Sequence, residues 1–258
     1  MWEGEKEIWG RHAPVLFPIV GKLKNNSYRY NGKECKMPQH GFARDCDFKL
    51  VSANETSAAF ELCASEKTFE IFPFHFLLGI NYSLSENILK TTYKVSNPSN
   101  ENLFFSLGTH PGFSCNIGNA NGLENFFLEF EKEENTVRNF VKDGLISEQT
   151  EKFSTTNKKY PLSKNTFEKD AVVLKKTNSS SVKLLNNKNA HGRELKWGKD
   201  FSYFGIWNKP GCEKFVCLEP WAGIADGINF SGNFNEKEGI IQLKPSEQKE
   251  FELEMKFF

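Results

Sequence analysis

The sequence predicts an all-β fold, a large antiparallel β-sandwich, and three observations carry that prediction. Phenylalanine occurs 25 times in 258 residues, and aromatic and β-branched side chains favour pleated, half-buried surfaces. Short runs of alternating polarity recur between turn signals, with few helical periods and no strand–helix–strand rhythm. Finally, Tyr28-Arg-Tyr and Lys33-Glu-Cys-Lys-Met flank Asn31-Gly32, a dipeptide suited to the two positive φ values of a type I′ hairpin turn.

The elements follow in chain order. After that hairpin, Phe48–Ala53, Ala58–Ala64, Phe69–Phe74, Leu77–Leu84 and Leu89–Ser96 read as strands. Leu103–Leu107 is a further apolar run. Phe126–Phe130, Ala171–Leu174, Val182–Leu185, Tyr203–Trp207, Phe215–Leu218, Ile240–Leu243 and Phe251–Phe257 continue the series. So many strands at short spacing point to a sandwich. Asn116–Asn125, rich in Asn and Gly, is predicted to be the least structured stretch, and Lys152–Lys169 reads as a polar connection. Neither reads as a linker and no internal repeat is visible. Residues 1–258 are therefore expected to form one domain, long enough to bury a sizeable core.

Charge and composition exclude several classes. The 33 basic and 33 acidic residues balance, which leaves no electrostatic footprint for nucleic acid or an anionic membrane. No apolar run approaches the roughly 18 residues of a membrane-spanning helix. The opening Met-Trp-Glu-Gly-Glu-Lys-Glu lacks the basic and apolar regions of a signal peptide. Cys35, Cys46, Cys63, Cys115, Cys212 and Cys217 form no C-x-x-C pair and no metal spacing with the five histidines. Most lie in apolar runs, so buried free thiols in a reducing cytoplasm are expected. Triplets such as Asn81-Tyr-Ser then carry no glycosylation meaning, and no nucleotide, cofactor or metal motif is present.

Two distant stretches carry titratable residues beside buried runs. Glu219 follows Phe215–Leu218 and precedes Pro220, which cannot donate to a ladder, so the strand is expected to stop there. A carboxylate so placed beside Trp221 is desolvated toward a useful pKa; a Glu in a surface turn is the plainer alternative. Leu103–Leu107 leads in the same way to His110, followed by Pro111. One general acid and one general base at rigid strand ends can move protons on a small substrate. Gly108 and Gly112 leave room around His110, and Phe113 offers a flat apolar face to a sugar ring. Trp207 and Trp221 read as pocket walls or as core.

Basic and acidic residues elsewhere add to this set. Arg11, in Trp9-Gly-Arg-His12 ahead of Pro14, brings five donors that suit hydroxyls or phosphate. His40 and Arg44, in His40-Gly-Phe-Ala-Arg44, can both reach a cleft because Gly41 permits close backbone approach. Asp226 reads as a loop stabiliser. His75, among Phe72, Phe74 and Phe76, reads as a core or edge histidine, and His12 and His191 carry no supporting pattern.

Ala13-Pro-Val-Leu-Phe-Pro-Ile-Val-Gly21, His40-Gly-Phe-Ala-Arg44, Leu107-Gly-Thr-His-Pro-Gly-Phe113 and Phe215–Asp226 together resemble the aldose 1-epimerase (galactose mutarotase-like) family, closest to its LacX-type branch. The resemblance runs from about Trp2 to the C-terminus. It implies the family's twisted supersandwich and interconversion of the α and β anomers of a free aldohexose, with no cofactor. It implies that ionised Glu219 takes the proton of the anomeric O1 hydroxyl while protonated His110 gives one to the ring oxygen. Arg11, His40, Arg44 and Asp170 are the implied substrate ligands, Asp170 matching an acidic residue that relatives place before an apolar strand. There are two departures. Gly21-Lys22 stands where many relatives have Gly-Arg, and the N-terminal strands that relatives carry ahead of the segment at Trp2 are missing. Hexose-6-phosphate epimerisation and non-catalytic sugar binding on the same fold stay open as alternatives. Glycoside hydrolysis would want two facing carboxylates. In every case the partner is a small sugar, and oligomeric state is left open.

Overall fold

Asn31 and Gly32 take φ values of +48° and +76°, and the predicted hairpin closes as Ser27–Tyr30 on Lys33–Lys36. The computed structural model describes residues 1–117, 120–188 and 191–258. Their strands form two large antiparallel sheets. The first has eight strands, numbered in chain order β1 (Val15–Leu16), β2 (Leu107–Thr109), β3 (Gly112–Ser114), β4 (Asn135–Lys142), β5 (Leu145–Ser154), β6 (Val172–Leu174), β7 (Tyr203–Trp207) and β8 (Phe215–Ala222). Their spatial order is β1–β2–β8–β7–β6–β4–β5, with β3 pairing β8 beyond the end of β2. The second sheet has nine strands. From one edge these are Lys159–Pro161, Phe126–Phe130, Ser181–Asn186, Gly192–Trp197, Gln248–Phe257, Ile88–Ser96, Leu77–Ser85, Ser57–Cys63 and Lys49–Ala53.

Successive strand residues point to opposite faces, and this sorts β8 into two roles. Val216, Leu218 and Ala222 enter the core between the sheets beside Phe204 and Ile206 of β7 and Val172 and Leu174 of β6. Leu78, Val95, Leu128, Leu184 and Leu253 meet them from the nine-stranded sheet. Each of the Val, Leu, Ile and Phe side chains among them contributes about 1.5–3 kcal/mol on burial, so this interior fixes the eight-stranded sheet from one side. Its opposite face carries Phe215, Cys217, Glu219 and Trp221 of β8, packed with two smaller clusters around Trp2 and around Leu16, Val173 and Ile224.

Several expectations are corrected. Phe69–Phe74 is not a strand. Ser65 and Thr68 exchange the two hydrogen bonds of a capping box, which turns Glu66–Phe69 into a helical turn. Phe72 and Phe76 then pack with Phe17 and Phe42 as an aromatic cluster. Glu219 does not end its strand, since β8 continues through Pro220 to Ala222. Asn116–Asn125 contains a two-residue pairing of Asn116–Ile117 with Ala120–Asn121 and a 3-10 turn at Leu123–Asn125; residues 118 and 119 lie outside the described residues. Lys152–Lys169 includes the end of β5, the strand Lys159–Pro161 and a 3-10 turn at Lys164–Phe167. The β4–β5 hairpin, with its turn at Asp143 (φ +56°) and Gly144 (φ +82°), is an addition to the strands read from sequence. All six cysteines are free thiols, but only Cys115 and Cys217 are buried.

Candidate active site

β8 supplies the first functional side chain and explains how a proline sits inside a central strand. The backbone groups of Leu218 and Pro220 point toward β2 and β3: Leu218 N–H donates to the Pro111 carbonyl (3.2 Å), and Thr109 Oγ1 donates to the Pro220 carbonyl (3.2 Å). β2 and β3 are interrupted there by His110-Pro111. The donor that Pro220 lacks therefore falls at a break in the neighbouring ladder, where the loss is tolerated. The same break turns His110 out of the ladder and onto the face that carries Glu219.

His110 Nε2 stands 3.2 Å from Glu219 Oε2, and both side chains are almost wholly buried. Neither His110 Nδ1 nor Glu219 Oε2 has a hydrogen-bond partner of good geometry. Burial lowers His110 to about 3, partly opposed by a backbone hydrogen bond. Burial raises Glu219 well above the ordinary carboxylate range, with the negative charge of Asp170 adding to the shift and the Trp221 indole N–H opposing it. Both groups are thus driven toward their neutral forms. A single proton shared by the pair therefore favours the carboxyl.

Aromatic rings wall the pair. Trp9 lies over the His110 ring at 5.0 Å, with Trp207 edge-on to both. Trp221 packs flat because the strands beside it carry glycine. A Cβ on Gly205 would stand 2.5 Å from two of its ring carbons, and one on Gly108 would stand 2.8 Å away. The cleft so formed has a volume of about 350 Å³ and is lined by His40, Arg44, His110, Asp170, Glu219 and Trp221, together with Trp9, Gln39, Trp207, Val141 and Ile146.

The polar wall is set by backbone geometry. His40 and Gly41 take positive φ values of +66° and +71°, and the following turn caps the Phe17 carbonyl with the N–H groups of Phe42 and Ala43. A Cβ on Gly41 would collide with that carbonyl oxygen. His40 Nδ1 accepts the Gly21 N–H (3.1 Å), which leaves Nε2 as the protonated nitrogen and a donor. Desolvation, then the nearby His110, Arg44 and Arg11, lower His40 well below its ordinary value, so it stays a neutral donor. Arg44 donates to the Gln39 carbonyl (2.7 Å). Asp170, at φ +66°, accepts the Ala171 N–H (2.7 Å), and buried Arg138 donates to its carbonyl (2.8 Å).

Six of the eight residues singled out from sequence line this cleft. Arg11 does not: it stands at the rim, with Nη2 2.7 Å from Asp45 Oδ1. Phe113 does not either. It is 1% exposed in the core between the sheets, paired with Val216, so the stacking surfaces are Trp9, Trp207 and Trp221 instead. Lys22 donates to the Asp143 carbonyl (3.0 Å). Asp226 braces a loop, accepting the Lys24 N–H (2.9 Å) and standing 3.2 Å from buried Lys237. Trp9 and Gln39 are additions to the sequence reading. The nearest signal was their position, one within Trp9-Gly-Arg-His12 and the other directly before His40.

The architecture is that of a galactose mutarotase-like protein. The chain belongs to the aldose 1-epimerase family, whose model matches residues 1–256. The chain is 28% identical to the plasmid-borne protein LacX of Lactococcus lactis subsp. lactis, over 95% of this chain and 85% of that one. The structure is similar to that of a galactose mutarotase related enzyme from Lactobacillus acidophilus, with a TM-score of 0.92 and 35% identity over 100% of this chain and 86% of that one. It is also similar to a galactose mutarotase-like protein from Lactobacillus casei ATCC 334, with a TM-score of 0.91 and 27% identity over 100% of this chain and 88% of that one.

Proposed function

We propose that this protein interconverts the α and β anomers of a free aldohexose. The observation that carries the reading is the 3.2 Å approach of His110 Nε2 to Glu219 Oε2 at the floor of a cleft of about 350 Å³, a volume within the range of small-molecule sites. The pair holds one proton, and the reaction needs one proton moved at each end of a C1–O5 bond. Hydroxyls of the bound sugar hydrogen-bond the Glu219 carboxylate and favour its ionised form, so the proton passes to His110. Glu219 then accepts the O1 proton, His110 donates to O5, and the C1–O5 bond opens to the aldehyde. Rotation about C1–C2 presents the other carbonyl face. Closure returns the O5 proton to His110 and the Glu219 proton to O1, and the pair ends as it began. His40 Nε2–H, Arg44 and Asp170 hold hydroxyls, while Trp9, Trp207 and Trp221 exclude water and cover the ring.

Exchange NMR or polarimetry on freshly dissolved pure anomers of glucose and galactose tests this. Catalytic quantities of protein are expected to speed anomer exchange well beyond the buffer rate. Tight sugar binding without acceleration would make the protein a carbohydrate-binding module on this fold.

A further inference from the structure

The anomer reaction uses an imidazole and a carboxylate and leaves a neighbouring thiol without a role. Cys217 precedes Glu219 by two residues on one buried strand, so both side chains leave the same face. The ring nitrogen of His110, the sulfur of Cys217 and a carboxylate oxygen of Glu219 all lie within 4.8 Å of one another, and all three residues are buried. Nε2 and Oε2 are already 3.2 Å apart, about the separation that two ligands adopt on one tetrahedral cation with bonds of 2.0–2.3 Å. Oε2 has no hydrogen-bond partner of good geometry that a cation would have to displace. One nitrogen, one sulfur and one oxygen ligand suit zinc and its soft congeners, whereas magnesium and calcium want oxygen alone. The rings of Trp2, Trp9, Trp207 and Phe215 around the sulfur offer no further ligand, and Cys212, packed against the same cluster, is not among the grouped ligand atoms. Three protein ligands then leave a fourth position open toward the cleft.

We propose that His110, Cys217 and Glu219 form a three-ligand site for a thiophilic divalent cation of the zinc type, whose occupation closes the cleft floor to sugar. The cation forms bonds to Nε2, Sγ and a carboxylate oxygen, and the thiol proton of Cys217 and the carboxyl proton of Glu219 both leave to solvent. The inhibitory consequence rests on the proposed epimerase reading; the binding site does not.

Co²⁺ titration of the chelator-treated full chain tests the site without reference to activity. One equivalent is expected to bind with a sulfur-to-cobalt charge-transfer absorption in the near ultraviolet. Cys217→Ala should abolish that absorption and weaken Zn²⁺ on the order of tenfold or more in calorimetry, whereas Cys115→Ala, at the other buried thiol, should leave both intact. Cobalt binding without the sulfur band, or equal affinity in wild type and Cys217→Ala, overturns the proposal. If Cys217→Ala does not fold, Cys217→Ser takes its place: loss of the sulfur band supports Cys217, and a retained band assigns the sulfur to another of the free thiols and overturns the proposal. In exchange assays Zn²⁺ should inhibit the wild type competitively with sugar and reversibly by chelator, while Cys217→Ala keeps its basal rate and resists Zn²⁺. A cobalt band in a protein that fails to exchange anomers sinks only the epimerase reading. Rapid exchange with no cobalt band sinks only the metal site.

Discussion

His110 Nε2 and Glu219 Oε2 meet at 3.2 Å on one face of the eight-stranded sheet, one from a break between two short strands and one from the middle of a long one. Burial pushes both toward neutrality, so the two behave as one unit with a single mobile proton. His110→Asn combined with Glu219→Gln is therefore expected to cost far less in kcat than the product of the single effects. Full multiplicative loss in stopped-flow polarimetry would assign them to separate steps.

Glu219→Gln alone should lower kcat by about 10²–10⁴-fold with a smaller change in KM. It should also make the protein more heat-stable at pH 8. A carboxyl whose folded pKa is raised stabilises the fold fully below its unfolded pKa, and that contribution is lost as pH rises toward the folded value. Glutamine does not titrate, so the gain should grow above about pH 4.5 and vanish below it. Each kcal/mol corresponds to roughly 2–4 °C in a chain of this size. A melting temperature that falls equally at pH 4 and pH 8 would show that Glu219 is held by compensating contacts.

The pH–rate profile separates this pair from an ordinary histidine. The active form carries one proton in total, and the acid limb is set by adding a second to His110, which is lowered to about 3. After subtraction of the buffer-catalysed rate, kcat/KM is expected to stay level from pH 7 down to 5. A half-point near the unperturbed histidine value of about 6.5 would mean that His110 is solvated during turnover. On the alkaline side activity should fall as the pair loses its only proton, above the ordinary carboxylate range.

Most of the sandwich was legible in the sequence because its strands are amphipathic. Ile88–Ser96 and Ser181–Asn186 alternate visibly, and their buried sides fill the core. β4 and β5 were not, because this hairpin forms one edge of its sheet and β5 has a long exposed polar run. Phe69–Phe74 misled because aromatic content reads as strand, whereas the Ser65–Thr68 capping box and Pro73 decide the backbone. In the site, His40, Arg44, Asp170, His110, Glu219 and Trp221 sit in or near turn and proline signals, which sequence displays. Phe113 failed on strand parity, since its register with Val216 turns it to the core. Trp9 reaches His110 only through a tertiary contact, which no local pattern encodes.

Trp221 owes its flat placement to Gly205, where a Cβ would stand 2.5 Å from two ring carbons. Gly205→Ala is expected to force the indole to rotate, at about 1–3 kcal/mol of overpacking, and to reduce kcat/KM. Adding Trp221→Phe should recover stability over Gly205→Ala alone, because the smaller ring vacates the clash and the two sites are in contact. Strictly additive melting shifts would show that the indole does not bear on Gly205.

Asp45 bears on substrate choice. Its Oδ1 lies 2.7 Å from Arg11 Nη2 and its Oδ2 3.7 Å from Arg44 Nε, so both guanidinium groups beside the cleft already face a carboxylate. A sugar 6-phosphate would have to compete with that charge, whereas the hydroxyls of a free sugar need only the donors that Arg44 has left. Faster exchange is therefore expected with free glucose or galactose than with their 6-phosphates at equal concentration and ionic strength. Arg44→Ala should raise KM for the free sugar with little salt dependence. Asp45→Asn removes the competing charge, and arginine–phosphate pairs are strong and geometrically selective. That variant should gain roughly tenfold in kcat/KM for glucose 6-phosphate, a gain that added salt erases because the site is partly exposed. A wild-type protein that already prefers glucose 6-phosphate, with activity falling steeply as salt is added, would reverse the assignment and make Asp45 a positioning residue for a phosphate-binding arginine pair.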